Sequence, residues 1–266
     1  MTTPVVSLRN ASLSFGTRTL WSGLDLDIMP GEFLAVLGPN GSGKTSLLKV
    51  LLGLQDLDTG TARIEGRRIR RGSRQIGYIP QQKSFPPETP LRARDLVGLG
   101  LDGHRWGVRL RNGAHNARVD ALLAEVGSFS YADAPVGRLS GGEQQRLRAA
   151  QALATEPSVL LCDEPLLSLD LHHQQAVSSL INRQCHEKNS VVVFVTHEIN
   201  PVIDYVDRVL YLANGQFRVG APKDVMTSEV LSGLYNSPVE VLHHDGRIIV
   251  VGLPDATTHH HHGAED

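Results

Sequence analysis

The segment GPNGSGKT at residues 38–45 constrains the fold of this chain more than any other. It stands between an apolar run, FLAVL (33–37), and a helix-like apolar run, LLKVLLGL (47–54). Its glycines let backbone N–H groups surround a phosphate, and the positive end of the following helix adds to the attraction. A glycine turn that arose by chance would not be expected to lie directly between a strand and a helix. We therefore predict a phosphate-binding loop, with Lys44 at the β- and γ-phosphates and the Thr45 hydroxyl on Mg²⁺.

Two later apolar runs, VLLC (159–162) and VVVFV (191–195), share the character of FLAVL. Short continuous apolar runs are typical of parallel strands that are buried on both faces. Helices are expected from Thr45 to about Leu52, from the glycines of LSGGEQQ to about Thr155, and from about His172 to Glu187. Alternating segments before the phosphate loop, VVSLRN and LDLDI, predict antiparallel strands, and RVLYLA (208–213) and RIIVV (247–251) predict further strands. An open parallel sheet places its site at the carboxyl ends of its strands.

Polar residues follow two of these strands. In VLLCDEP, Asp163 is a candidate ligand of Mg²⁺, directly or through water, and Glu164 is a candidate general base. An isolated Asp-Glu pair is ordinarily a helix cap or a solvated turn, but this pair ends a buried strand. In VTHE, His197 lies beyond another strand, where it could orient water near the γ-phosphate. A single histidine is more often structural, so both interpretations of His197 stay open here.

The run LSGGEQQ (139–145) places a serine-glycine-glycine turn at the start of a helix. With these motifs in this order, the chain resembles the nucleotide-binding subunits of ABC transporters over roughly residues 5–220. The resemblance implies that Ser140, Gly141 and Gly142 present donors to the γ-phosphate bound by a second copy. It thus implies a head-to-tail homodimer with ATP enclosed between the copies.

The resemblance also assigns roles to residues outside these motifs. Phe15 matches an aromatic residue that stacks on adenine, although a phenylalanine of a core strand is a rival interpretation. Gln81, in IGYIPQQ, matches a glutamine that links the Mg²⁺ site to the membrane partner, and the adjacent Gln82 makes this choice ambiguous. Asp170 matches the loop that communicates across the dimer, and His197 matches a switch histidine.

Three sets of site residues follow. The catalytic set is Glu164, His197 and Gln81, and the Mg²⁺ set is Thr45, Gln81 and Asp163. The ATP-binding set is Phe15, Gly38, Pro39, Asn40, Gly41, Ser42, Gly43, Lys44, Thr45, Ser46, Ser140, Gly141, Gly142, Glu143 and Asp170.

The expected fold class is α/β: a P-loop NTPase of ABC type, with a mainly parallel central sheet flanked by helices, an antiparallel β subdomain and a helical subdomain. We expect one ABC ATPase domain over residues 1–254, with the helical subdomain at about 82–150. The His-rich end, residues 255–266, is expected to be disordered.

Composition narrows the cellular setting. No apolar stretch approaches the roughly 18–20 residues that span a bilayer, and the N-terminus lacks the regions of a signal peptide. The two cysteines, Cys162 and Cys185, form no CxxC pair and are expected to be small packing residues. We expect a peripheral protein at the cytoplasmic face of the cell membrane, bound through a partner.

Charge is unevenly distributed. Residues 63–118 hold 13 lysines and arginines and 4 acidic residues, although the net charge of the chain is −2. One interpretation of this positively charged segment is a solvated surface. The other is a face that lies near anionic lipid. Aromatic residues do not interleave with the arginines, so no nucleic-acid partner is expected.

The predicted function is ATP hydrolysis that energises transport, and the subfamily resemblance implies import. The segments IGYIPQQKSFPPETPLRARDLVGLG, RWG and VEVLHHDGRIIVVG look most like subunits for zinc, manganese or iron. The partners would be integral membrane permease subunits and, indirectly, a solute-binding protein. The His-rich end is compatible with metal transport. It is equally compatible with a disordered polar segment without a function, or with the remnant of a purification tag.

Other classes of function remain open at this point. The chain could serve a transporter of a non-metal substrate, or be a soluble ABC-type ATPase of iron–sulfur cluster assembly. A translation-associated ATPase is less compatible, because a second nucleotide domain and a charged helical linker are absent from the sequence. A nucleotide-binding module without hydrolysis is disfavoured by Glu164 and His197.

Overall fold

The structure is a computed structural model that describes residues 3–81, 84–103, 113–167 and 169–252. Gln82, the RWG segment (105–107) and the His-rich end (255–266) lie outside the described residues.

The strands and helices alternate along much of the chain. In chain order the strands are β1 (Val6–Phe15), β2 (Arg18–Ile28), β3 (Phe33–Leu37), β4 (Thr59–Ile64), β5 (Arg67–Arg68), β6 (Ile76–Ile79), β7 (Val159–Asp163), β8 (Val191–Val195), β9 (Arg208–Ala213), β10 (Gln216–Gly220), β11 (Val239–His244) and β12 (Arg247–Gly252). The helices are α1 (Lys44–Leu51), α2 (Ala93–Asp102), α3 (Gly113–Glu125), α4 (Gly141–Leu153), α5 (Leu171–His186), α6 (Pro222–Val225) and α7 (Ser228–Tyr235).

A mainly parallel sheet organises the molecule. Its spatial order is β10-β9-β3-β8-β7-β6, and every neighbouring pair except β10 and β9 is parallel. All residues of β3, β7 and β8 are buried, which confirms the three strands predicted from continuous apolar runs. The predicted strand RVLYLA is β9, and it pairs in parallel with β3. The carboxyl ends of β3, β7 and β8 therefore meet at one edge of the sheet.

An antiparallel sheet of order β2-β1-β4-β5 covers one side of this centre. It confirms the antiparallel strands predicted before the phosphate loop. Its buried residues, including Leu24 and Trp21, form a single apolar cluster with Leu47 and Leu48 of α1 and with Leu34 of β3. The phosphate loop is thus held between two packed layers.

The helices α2, α3 and α4 pack on the other side. Their buried leucines, such as Leu96, Leu122 and Leu147, belong to one apolar cluster with Phe33 and Phe194 of the central sheet. Helix α4 ends at Leu153, two residues before the predicted end, and α5 lies within one residue of its predicted bounds. Cys162 and Cys185 are both free and buried, as expected of packing residues.

The C-terminal part of the described chain adds a separate two-stranded sheet, β11 and β12. His243 and His244 belong to β11, and the turn that follows is formed by Asp245 and Gly246, both with positive φ. Among the described residues, no helix has the length and apolar character needed to cross a membrane.

Candidate functional site

Two glycines fix the shape of the phosphate loop between β3 and α1. Gly38 has φ +138°, and a Cβ there would overlap the carbonyl oxygen of Leu212. Gly43 has φ +100°, and a Cβ there would lie 2.6 Å from the ring of Trp21. A side chain is therefore excluded at both positions. The backbone N–H groups at the start of α1 face the loop without a side-chain cap, which suits an anion.

Lys44 is buried inside this loop. Its ammonium donates to the carbonyl oxygens of Gly38 at 2.7 Å and Pro39 at 3.1 Å. Burial lowers the pKa of Lys44, while the carboxylates of Glu164 and Asp163 oppose that shift. The loop thus holds a positive charge close to two carboxylates, where phosphate oxygens can replace the carbonyl acceptors.

Asp163, the last residue of β7, is buried beside two hydroxyl groups. Thr45 Oγ1 donates to Oδ1 at 3.4 Å, and Tyr78 OH donates to Oδ2 at 3.5 Å. Burial raises the pKa of Asp163, the Thr45 hydrogen bond opposes the rise, and the charge of Glu164 adds to it. Burial and the neighbouring Asp163 raise the pKa of Tyr78 to about 12.

These residues fit Mg²⁺. The ion prefers oxygen ligands and is commonly bound by one or two carboxylates together with substrate phosphates. Thr45 Oγ1 and Asp163 Oδ1 supply two adjacent oxygens, and a cation would stabilise the ionised Asp163 against its burial. Among the described residues there is no group of three or more His, Cys, Asp and Glu side chains that could hold a metal ion. A Mg²⁺ ion here would therefore take its remaining ligands from phosphate and water.

Glu164 and His197 form a pair beyond β7 and β8. Glu164 has φ +49°, an uncommon conformation for a residue other than glycine, and its N–H donates to the carbonyl oxygen of Val195 at 3.0 Å. Its Oε2 lies 2.8 Å from His197 Nδ1. An ionised carboxylate only accepts, so His197 donates from Nδ1. Strained backbone of this kind is concentrated at functional sites.

A cleft of about 340 Å³ joins the phosphate loop to Asp163 and Glu164, and His197 is outside its lining. It is lined by Phe15, Arg18, Leu20, Asn40, Gly41, Gly43, Lys44, Thr45, Ser46, Gln81, Asp163, Glu164 and Val195. Phe15 is 77% exposed at the end of β1, so it is not a core residue. Gln81 lies in the cleft lining, while the adjacent Gln82 is outside the described residues.

The remaining sequence-predicted residues lie elsewhere. Ser140 begins α4 in a reciprocal cap: its N–H and hydroxyl donate to Glu143 Oε2 at 2.7 and 2.8 Å, and Glu143 N–H donates back to Ser140 Oγ. Asp170 caps α5. The lining of the phosphate-loop cleft includes none of Ser140, Gly141, Gly142, Glu143 and Asp170. The structure therefore brings one set of predicted residues together and leaves the signature set outside.

Sequence reasoning missed three residues near the site. Arg18 lines the cleft, with its Nη1 3.3 Å from the Cβ position of Gly41, and Tyr78 donates to Asp163. Gln144 accepts from the N–H of Phe85 and donates to the carbonyl oxygen of Leu139, both at 3.0 Å, so it ties the segment after Gln81 to the start of α4. Tyr78 and Gln144 had a signal, since they stand inside IGYIPQQ and LSGGEQQ, whereas Arg18 had none.

A parallel sheet with a phosphate loop after one strand and a carboxylate pair after another defines a P-loop nucleoside triphosphatase. The sequence matches the ABC transporter family over residues 21–167. The chain therefore belongs to this family, which confirms the resemblance and the expected ABC-type fold.

Individual relatives extend over nearly the whole chain. The manganese transport system ATP-binding protein MntB of Halalkalibacterium halodurans is 31% identical over 252 residues, which are 94% of this chain and 99% of that protein. A solved ABC transporter assigned to the metal-chelate type, in an inward-facing conformation, has a TM-score of 0.79 and 28% identity, with 95% of this chain and 98% of that chain covered. A dimeric ATP-binding cassette in a post-hydrolysis state, bound to ADP and Pi, has a TM-score of 0.71 and 28% identity, with 81% and 98% covered.

Proposed function

We propose that this chain is the ATP-hydrolysing subunit of an ABC transporter and acts as a head-to-tail homodimer. The proposal rests on one observation: some motif residues line a common cleft, and the others lie outside it. The phosphate loop, Asp163 and Glu164 line one cleft, whereas Ser140, Gly142 and Asp170 lie outside it. A second copy that supplies the signature residues would explain this division, and dimeric cassettes among the structural relatives support it.

The phosphate loop is the part of the chain that would bind the nucleotide. Its N–H groups and the Lys44 ammonium hold the β- and γ-phosphates, and Phe15, exposed at the cleft edge, offers its ring to the adenine. Thr45 and Asp163 hold Mg²⁺, with Gln81 in the same lining. When bound, Mg²⁺ neutralises the charge that develops on the phosphate oxygens.

Glu164 is the residue suited to activate water. It lies at the carboxyl end of the sheet with its side chain 14% exposed, so it reaches the cleft while staying largely shielded. The hydrogen bond from His197 Nδ1 fixes its orientation. The Glu164 carboxylate can then accept a proton from a water that lines up with the γ-phosphate, and His197 keeps the carboxylate in place.

The second copy completes the site. Its Ser140 hydroxyl and Gly142 N–H would add donors at the exposed side of the γ-phosphate and exclude water there, where transition-state charge accumulates. ATP then favours the closed dimer, and loss of the γ-phosphate releases it, which is a shift of population between two assemblies. The Gln81 segment, tied to α4 through Gln144, would carry this movement to a membrane permease.

The proposed cargo is a metal ion, taken up by import with the help of a solute-binding protein, and the chain would lie at the cytoplasmic face of the membrane. The manganese transport relative and the metal-chelate type transporter support a metal, and manganese is accordingly favoured over zinc or iron. The rival function is a soluble ATPase of iron–sulfur cluster assembly. Co-purification with a membrane permease separates the two, since the soluble ATPase has none.

The substitution Glu164→Gln tests the mechanism. It removes the base and keeps the shape of the side chain, so we expect ATP binding to persist and turnover to fall by at least about 10²-fold. ATP should also convert the variant from monomer to dimer in light scattering, because the bound γ-phosphate is no longer removed. Lys44→Ala is the matched control and should lose nucleotide affinity. Near-normal turnover of Glu164→Gln, or a variant that stays monomeric with saturating ATP, would contradict the proposal.

A further inference from the structure

The signature turn and the loop before α5 pack against each other within one protomer. A Cβ at Gly142 would lie 3.4 Å from Leu169 Cδ2 and 3.9 Å from Cγ and Nδ1 of His173. These are ordinary van der Waals distances. The imidazole of His173 is therefore a direct neighbour of the signature turn.

The same imidazole holds Asp170. The His173 N–H donates to Asp170 Oδ1 at 2.9 Å, and His173 Nδ1 lies 2.7 Å from Asp170 Oδ2. Both interactions hold the pKa of Asp170 below its ordinary value. Gln174 Nε2 donates to the carbonyl oxygen of Leu169 at 3.2 Å and closes the loop from the other side. Both carboxylate oxygens of Asp170 are thus fixed by a single residue of α5.

We propose that His173 is a positioning residue that joins Asp170 to the signature turn, so that a second copy meets the two as one preformed surface. The inference rests on the proposed head-to-tail dimer, in which both Asp170 and the signature turn are offered to the other copy. If each had to be ordered separately when the dimer closes, conformational entropy would weaken closure. A single side chain that binds Asp170 and lies beside the signature turn removes part of that penalty, because supporting contacts keep a site within its productive geometry.

The structural and the positioning roles of His173 can be separated. The cap of α5 uses the backbone N–H of residue 173, which any replacement except proline keeps. The link to the signature turn uses the side chain of residue 173, which donates to Asp170 and lies beside Gly142. A change to a side chain without a donor, such as leucine, therefore keeps the helix start and removes the link.

The neighbour His172 is a matched control. Its ring makes an edge contact with the ring of His173, with centroids 5.6 Å apart, but it is exposed. Glu125 and Arg146 face His172 and His173 across a shared cleft between α3, α4 and α5. A replacement of either histidine alters the lining of this cleft, so only a specific role of His173 gives different results.

The experiment compares His173→Leu, His173→Asn and His172→Leu in the full chain that also carries Glu164→Gln. Light scattering at saturating ATP and Mg²⁺ gives the protein concentration at which half of the chain is dimeric. We expect His173→Leu to raise this concentration about tenfold, the scale of one hydrogen bond to a charged group. ATP affinity of the dilute protomer should be unchanged. His173→Asn should restore dimerisation, because its amide can donate to Asp170, and His172→Leu should have no effect.

With Glu164 present, the same changes should separate kcat from KM. His173→Leu should lower kcat at fixed protein concentration and leave the KM for ATP unchanged, since the phosphate loop is untouched. Equal dimerisation of His173→Leu and His172→Leu, or no rescue by His173→Asn, would overturn the role of His173 alone. A Glu164→Gln chain that stays monomeric with ATP would instead overturn the head-to-tail dimer and this inference with it.

Discussion

At the scale of single residues, the site combines charge with burial. Asp163 and Lys44 are both largely removed from water, and burial disfavours the charged form of each. Glu164 takes a backbone conformation that L-residues seldom adopt. Such features weaken the fold and are retained where ligand binding compensates for them. The ligand that these residues fit is a magnesium-bound triphosphate.

The substitution Asp163→Asn tests whether the buried charge of Asp163 lowers the stability of the fold while it supports activity. The folded-state pKa of Asp163 is raised by burial, so the fold loses stability as the pH rises from the ordinary pKa of aspartate, about 4, through that folded-state pKa. At pH 7 the neutral amide should therefore raise the Tm of the nucleotide-free chain. The gain should disappear as the pH falls through the folded-state pKa towards about 4, where the aspartate is itself neutral. Differential scanning calorimetry would detect it, since 1 kcal/mol moves the Tm by about 2–4 °C at this size.

Two comparisons sharpen that measurement. Asp204→Asn, at an exposed position, should leave the Tm unchanged across the same pH range. Asp163→Asn should also lose magnesium-dependent hydrolysis, because an amide is a poorer ligand of Mg²⁺ than a carboxylate. A Tm at pH 7 equal to that of the parent chain would show that burial of the Asp163 charge does not weaken the fold.

At the scale of elements, the sequence predicted what local patterns encode. Continuous apolar runs identified β3, β7 and β8, and the glycine at 53 and the glycines of LSGGEQQ marked helix ends. The four-residue strand β6 was not predicted, because IGYI is too short to carry a period. The contacts that organise the site, such as Tyr78 with Asp163 and Gln144 with Phe85, join distant segments. No local pattern in one sequence encodes them.

One such long-range contact anchors the C-terminal hairpin. Asn200, in the segment after His197, donates from Nδ2 to the carbonyl oxygen of Ile248 at 2.9 Å and accepts from its N–H at 2.8 Å. The Asn200 side-chain amide thereby makes the hydrogen bonds to Ile248 that a neighbouring strand would otherwise make. The hairpin is thus tied to the segment that carries the proposed switch histidine.

Asn200→Ala should loosen this hairpin. Both backbone groups of Ile248 would lose their partner, at a cost of about 1–3 kcal/mol, so local opening should become about 10-fold more frequent or greater. Hydrogen exchange of the β11 and β12 amides measures this directly. Glu240→Ala, on an exposed position of β11, is the control and should leave exchange unchanged. Unaltered exchange in Asn200→Ala would mean that the hairpin is held by its apolar contacts, such as Ile248 in the core, and not by Asn200.

At the scale of the whole molecule, the phosphate loop, Asp163 and Glu164 line one cleft, and the signature residues lie outside it. The sequence motifs predicted the phosphate loop and the carboxylate pair of this cleft, and the roles assigned to the individual residues stay predictions. The motifs did not reveal that His173 binds Asp170 and lies beside Gly142, because this proximity depends on the packing of α4 against α5. The cargo is predicted still less directly from the sequence, since in the proposed transporter it would pass through a membrane subunit and not through this chain.

Cargo is therefore best tested in the cell. If the chain energises import of a metal ion, its deletion should lower the cellular content of that metal several-fold and slow growth under chelation. Elemental analysis of manganese, zinc and iron in one sample identifies the ion, and we expect manganese to fall most. Complementation with the parent chain should restore the content, whereas the Glu164→Gln variant should not, because a dimer that stays closed does not cycle. Unchanged metal content together with normal growth under chelation would exclude metal import and favour another cargo, while loss of iron–sulfur enzyme activity at normal metal content would favour the soluble assembly ATPase.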